Sequence, residues 1–236
     1  MGTQTVEADV AEARLRAVEE ALKLVKDGML IGLGSGTTLR LFIEKLAEKV
    51  RRERLEIYFV ATSYDTSLTA SKLGLTERPL LDESPEIAFD GADYVFPDKW
   101  VVKGLGGALF REKIVDYFSR EYIIIADWKK LRERPTGIPI PVEAHPFAAQ
   151  KVVSALKSMP GVIQASIRIS GSGKLGPIIT DNGNFIIDAV FREVENPEIL
   201  EKELMTIPGV VSNGVFALKR PSKVLIGYPE KVSVIV

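Results

Sequence analysis

Apolar positions along the chain follow two periods. Ala11, Leu15, Val18, Leu22 and Val25 recur at spacings of four and three, which predicts an amphipathic helix stopped by Asp27 and Gly28. A continuous apolar run over 29–33 reads as a buried strand, and Leu39, Phe42, Ile43, Leu46 and Val50 mark a second helix. The order then repeats, with a strand at 55–61, a helix at 65–73 ended by Gly74, and short strands at 86–89 and 100–102. A helix from Ala108 carries a stripe of Phe110, Ile114, Tyr117 and Phe118, and a buried strand follows at 122–126. Strands alternating with helices predict an α/β fold, a Rossmann-like open parallel sheet with right-handed crossovers.

The pattern changes at "RERPTGIPIP" (132–141), whose prolines read as a linker. Beyond it come a strand near 138–142, a helix at 146–159, an alternating strand at 165–169, a hairpin turning at 181–184, a helix at 197–205 and a strand at 210–216. That βαββαβ order predicts a second, smaller α+β domain of ferredoxin-like type, with its Asn-Gly turn as the sharpest local signal. Leu225, Ile226 and the terminal "VSVIV" supply strands that can return to the first sheet. The expected division is an α/β catalytic domain at 1–134 plus 218–236 and a lid domain at 135–217.

Composition narrows the chemistry. The chain of 236 residues carries a net charge of -1, which argues against general nucleic-acid affinity because neutralising phosphates needs a basic surface. The absence of Cys excludes thiolate catalysis and Cys-ligated zinc, the single His145 leaves little for a His-based metal site or triad, and no metal is expected. Acids in the first thirty residues and the lack of any run of about 18 apolar residues argue against a secretory leader and a membrane span. A cytoplasmic enzyme or binding protein is the expectation.

Two stretches carry candidate chemistry. Gly34, Ser35, Gly36, Thr37 and Thr38 lie between a predicted strand and helix, an outline in which backbone N–H groups, hydroxyls and a helix N-terminus face an anion. A tight turn with Ser or Thr as a helix cap reads equally well there. The second stretch is "FDGADYVFPDKWVVKGLGGALFREKI" (89–114). In it Asp90 and Asp93 flank Gly91 and Ala92 after one strand, and Lys103 follows another and leads into Gly104, Leu105 and Gly106. Both strand ends are expected to deliver charge to one rim of the sheet, and Glu112, in the second turn of the next helix, to reach back towards Lys103. Bland readings stand beside these. Asp-Gly is a turn dipeptide, Lys103 alone is a surface charge, and Glu112 lies opposite the apolar stripe, where periodicity makes it a solvated residue.

"DGAD" and "KGLGGALFREKI", with "GLGSGTT" upstream and "TDNGNFIID" and "IPGVV" downstream, resemble ribose-5-phosphate isomerase of the A type nearly end to end. The resemblance implies cofactor-free interconversion of D-ribose 5-phosphate and D-ribulose 5-phosphate through an enediolate. It also implies Glu112 as the proton-transferring group, with Lys103, Asp90 and Asp93 as its catalytic partners. Ser35, Gly36, Thr37, Thr38 and Lys130 match positions that would anchor the phosphate, and Gly91, Ala92, Gly104, Leu105 and Gly106 are implied as further substrate-binding residues, the N–H groups of Gly104 and Gly106 facing the sugar oxygens. A homodimer or homotetramer is implied as well. Tyr94 stands where the family pattern has Glu, and Leu105 where it often has Gly, a strained substitution if that position needs a positive φ. A sugar-phosphate sensor without chemistry, a nucleotide-dependent oxidoreductase built on the Gly32 to Gly36 loop, and an aminosugar-phosphate deaminase are the competing expectations.

Overall fold

The computed structural model describes residues 2–81, 83–171 and 175–236. In chain order α1 (Gly2–Leu22), β1 (Leu30–Leu33), α2 (Thr37–Glu53), β2 (Tyr58–Ala61), α3 (Tyr64–Lys72), β3 (Thr76–Glu77) and β4 (Ile87–Asp90) come first. They lead to β5 (Tyr94–Val95), β6 (Val101–Val102), α4 (Leu109–Phe118), β7 (Glu121–Asp127), β8 (Thr136–Ala144) and α5 (Ala149–Ser158). The chain continues with β9 (Val162–Ile167), β10 (Phe185–Glu193), α6 (Pro197–Thr206), β11 (Val210–Asn213), β12 (Val215–Phe216), β13 (Lys223–Gly227) and β14 (Val232–Ile235). These form two compact units, one of residues 1–92, 114–131 and 221–236, the other of residues 93–113 and 132–220.

The first unit is a seven-stranded sheet in the order β14-β13-β7-β4-β1-β2-β3, parallel throughout except for antiparallel β14 at the edge. All four residues of β1 are buried, as expected of a central strand covered on both faces. The predicted α2 stripe is the observed one: Leu39, Phe42, Ile43 and Leu46 are buried in a core with Leu33, Phe59, Phe89 and Ile123. From β1 the chain progresses outward to β2 and β3, then returns to β4 on the other side of β1. The carboxyl ends of β1 and β4 therefore flank a reversal in strand order, the place where open α/β sheets bind ligands.

The second unit holds a four-stranded antiparallel sheet in the order β11-β8-β10-β9, the arrangement of a ferredoxin-like βαββαβ unit. Gly183 at the Asn-Gly turn has φ +79, where glycine carries no Cβ penalty. A three-stranded antiparallel sheet, β12-β6-β5, belongs to the same unit. The expected placement of the strand before Lys103 in the parallel sheet is thus corrected: β6 pairs with β5 and β12. The apolar side chains explain why. Phe96 and Trp100 stack at 4.0 Å and join Val102, Ile140, Val142 and Val215 in the second core. The segment 93–113 accordingly packs with the second unit, whereas the sequence division drew its first boundary at residue 134.

Helix α4 reverses its predicted face. Leu109, Glu112, Val115, Asp116 and Ser119 are buried, while Phe118 is 65% exposed. Close approach to the sheet accounts for part of this, since a Cβ on Gly32 would lie 2.6 Å from Val115 Cγ1. The helix starts at Leu109, so Glu112 falls in its first turn.

Candidate active site

The loop after β1 is built around Asp90. Gly34 donates its N–H to Phe89 O at 2.8 Å, and a Cβ at Gly34 would sit 2.0 Å from Asp90 Oδ1, so only glycine lets the two strand ends meet. Asp90 is fully buried, and its Oδ1 accepts the N–H of Gly91 at 2.6 Å and of Ser35 at 3.3 Å. Gly36 has φ +103 and stands at the N-cap of α2 with no side-chain cap bond. The first-turn N–H groups of Thr37 and Thr38 have no acceptor within the helix, and the helix dipole adds positive potential there. The Ser35 hydroxyl turns inward. It lies 2.8 Å from Thr62 Oγ1, 2.8 Å from Ser63 Oγ and 3.3 Å from Thr66 Oγ1, while Thr66 donates to Gly34 O at 2.8 Å.

Sequence reasoning missed this hydroxyl cluster. Its signal was the Ser63 helix cap, whose Oγ accepts the Thr66 N–H at 3.1 Å. Lys130 ends a short 3-10 turn over Trp128–Lys130 capped by Asp127, and Asp127 also accepts from Arg14 Nε at 3.0 Å.

In the second unit, Lys103 and Glu112 form an ion pair, Nζ to Oε1 at 3.3 Å, with side chains 2% and 7% exposed. Taking two charges out of water costs several kcal/mol per ion unless each meets the other, so neither residue is the solvated charge of the bland reading. The pair is fixed at its backbone by Lys103 N–H donating to Gly214 O at 2.9 Å. A Cβ on Gly214 would lie 2.3 Å from Lys103 O, which keeps that position a glycine. Asp93 accepts the N–H of Leu105 at 2.9 Å. Positive φ in this loop falls on Gly104 (+96) and Gly107 (+91) and not on Leu105, so the departure at position 105 carries no backbone strain.

Next to Glu112, Lys113 donates to Glu201 Oε1 at 2.7 Å and to Val215 O at 2.6 Å. Burial pushes its ammonium down to about 8, against the opposing charge and hydrogen bond of Glu201.

Asp90, Gly91, Ala92, Ser35 to Thr38 and Lys130 thus belong to the first unit, and Asp93, Lys103 to Gly106 and Glu112 to the second. Among the described residues there is no cluster of three or more acidic, His or Cys side chains that could hold a metal ion, and no helix long and apolar enough to cross a membrane.

Residues 58–231 match the family model of ribose 5-phosphate isomerase A (phosphoriboisomerase A). The ribose-5-phosphate isomerase A of Methanococcus aeolicus is 46% identical over 95% of each chain, and that of Methanothermobacter thermautotrophicus 45% identical over 87% of this chain and 88% of its own. The solved structure of the Methanocaldococcus jannaschii enzyme superposes with a TM-score of 0.90 at 42% identity, covering 95% of this chain and 98% of that one. A D-ribose-5-phosphate isomerase solved in complex with phospho-erythronic acid gives a TM-score of 0.90 at 39% identity over 96% of this chain and 99% of its own. With the family model spanning most of the sequence and relatives matched nearly end to end, the chain belongs to the ribose 5-phosphate isomerase A family.

Proposed function

We propose that the chain interconverts D-ribose 5-phosphate and D-ribulose 5-phosphate through an enediolate, with Glu112 carrying the proton between neighbouring carbons. The buried Lys103 and Glu112 pair is the observation that carries this reading. A carboxylate in a dry site is the group for a proton transfer, and an ammonium 3.3 Å away stabilises negative charge as it develops on the sugar oxygens. Asp90 and Asp93 hold sugar hydroxyls or assist ring opening, within the backbone of Gly91 and Ala92. The N–H groups of Gly104 and Gly106 add to the stabilisation. Gly36, Thr37 and Thr38 anchor the phosphate through the α2 N-terminus, and Lys130 supplies a charge. Ser35 contributes to that anchor by holding the loop in shape, because its hydroxyl is engaged with Thr62 and Ser63.

A homodimer or homotetramer in the cytoplasm completes the proposal. Assembly would cover apolar side chains such as Phe147 and Leu175, which are 96% and 94% exposed on the single chain.

The test incubates purified protein with ribose 5-phosphate and a chelator, without nucleotide. Ketose formation is expected. No ketose, with ammonia released from an aminosugar phosphate instead, overturns the assignment in favour of a deaminase.

A further inference from the structure

The glycine turn after Lys103 is gripped by a residue distant in sequence. Ser166 pairs with Asp188 and Ile167 with Ile187 across β9 and β10, which brings Arg168 opposite Ile186, whose carbonyl accepts the Arg168 N–H at 2.7 Å. Two positions further along β10, Asp188 is the diagonal neighbour on the same face. The guanidinium therefore meets the carboxylate in fork geometry, Nε to Oδ2 at 2.7 Å and Nη2 to Oδ1. Its remaining arm reaches the turn. Arg168 Nη1 donates to Leu105 O at 2.7 Å and to Gly104 O at 3.3 Å, with the arginine side chain only 14% exposed.

Peptide planarity gives this contact a consequence. In a trans peptide the C=O of one residue and the N–H of the next point in opposite directions. Arg168 draws the Gly104 carbonyl to one side, and the N–H of the same peptide unit, on Leu105, goes to Asp93 Oδ2 at 2.9 Å. In the following unit Arg168 holds the Leu105 carbonyl, which aims the Gly106 N–H away from the guanidinium. That N–H donates to no protein acceptor among the described residues. A turn with positive φ at Gly104 and Gly107 has wide conformational freedom of its own, so its orientation has to be imposed from outside.

We propose that Arg168, braced by Asp188, is a positioning residue for the isomerisation, setting the direction of the Gly106 N–H towards the oxyanion of the enediolate. The inference rests on the isomerase reading above and adds to it a residue that touches no substrate. Lysine cannot replace the arginine, because one ammonium cannot span a bidentate carboxylate and two carbonyls in a plane.

The test measures steady-state kinetics of Arg168→Lys, Arg168→Met and Asp188→Asn in the full chain, with circular dichroism as a check on folding. Misplacing one stabilising donor predicts a loss of kcat of about 10- to 100-fold in both Arg168 variants, with KM changed by less than about three-fold. Affinity for phospho-erythronic acid should fall together with kcat, since a ligand resembling the charged intermediate reports on the same donor. Asp188→Asn, which leaves the arginine in place and weakens its brace, should show a smaller loss with the same split. Should the Arg168 variants fail to fold, the outcome for Asp188→Asn decides. A folded Arg168→Lys or Asp188→Asn with parental kcat, or a rise in KM alone, overturns the role. An inactive Glu112→Gln beside a fully active Arg168→Lys removes only this inference, whereas an active Glu112→Gln removes the isomerase mechanism beneath it.

Discussion

Replacing Lys113 by Met should change how stability depends on pH, and the structure sets both sign and size. The Lys113 ammonium is buried beside Glu201, Asn213 and Val215, with the Phe216 ring centroid 4.6 Å away. Burial holds it at about 8, against 10.5 for an ordinary lysine. Between those two values the unfolded chain binds a proton at this position that the folded chain has released. Stability rises with pH wherever the unfolded state binds more protons, so folding gains across this window. At roughly 1.4 kcal/mol per pH unit the full gap is worth about 3 kcal/mol. Urea denaturation of the parent and of Lys113→Met, in steps from pH 7.5 to 10.5, isolates the effect as a difference between the two proteins. Glu201 keeps two donors in the variant, the N–H groups of Ala217 and Leu218 at 2.8 Å each, so the comparison does not strand a bare carboxylate. The parent should gain about 3 kcal/mol relative to the variant over that range. A flat or falling difference refutes the reasoning.

Gly34→Ala should destabilise by about 1–3 kcal/mol or more, since the new Cβ overlaps the buried Asp90 side chain and lies 2.7 Å from its Cα, and backbone cannot step aside. An unchanged urea midpoint contradicts this. Leu105→Gly should bring no stabilisation and should cost up to about 1 kcal/mol through the greater freedom of the unfolded chain, because Leu105 has no positive φ to relieve. A variant more stable than the parent in thermal melts refutes it.

Where one side chain pattern decided an element, the sequence sufficed. The α2 stripe from Leu39 to Leu46, the buried β1 and the βαββαβ order of the second unit are as periodicity predicts. Helix α4 was misread because hydropathy assigns acids to water, and its inward face carries Glu112 and Asp116. The partner that makes a buried Glu112 tolerable, Lys103, sits on a different element, and no helical period contains that information. Two-residue β6 was drawn into the wrong sheet for a similar reason: its partner β12 lies far along the chain. Motif spacing located Ser35 but not the inward turn of its hydroxyl, which depends on Thr62 and Ser63 being brought against it. Arg168 and Asp188 gave no signal at all, since a diagonal pair becomes visible only once the β9 and β10 register is known.

The central claim is that Glu112 transfers the proton, and turnover of Glu112→Gln with ribose 5-phosphate tests it most directly. The amide keeps the size and a hydrogen-bonding oxygen towards Lys103 but cannot accept a proton. We expect kcat to fall by about 100- to 10,000-fold with KM nearly unchanged in a protein that retains its circular dichroism. A folded Glu112→Gln that turns over within about three-fold of the parent would contradict the account.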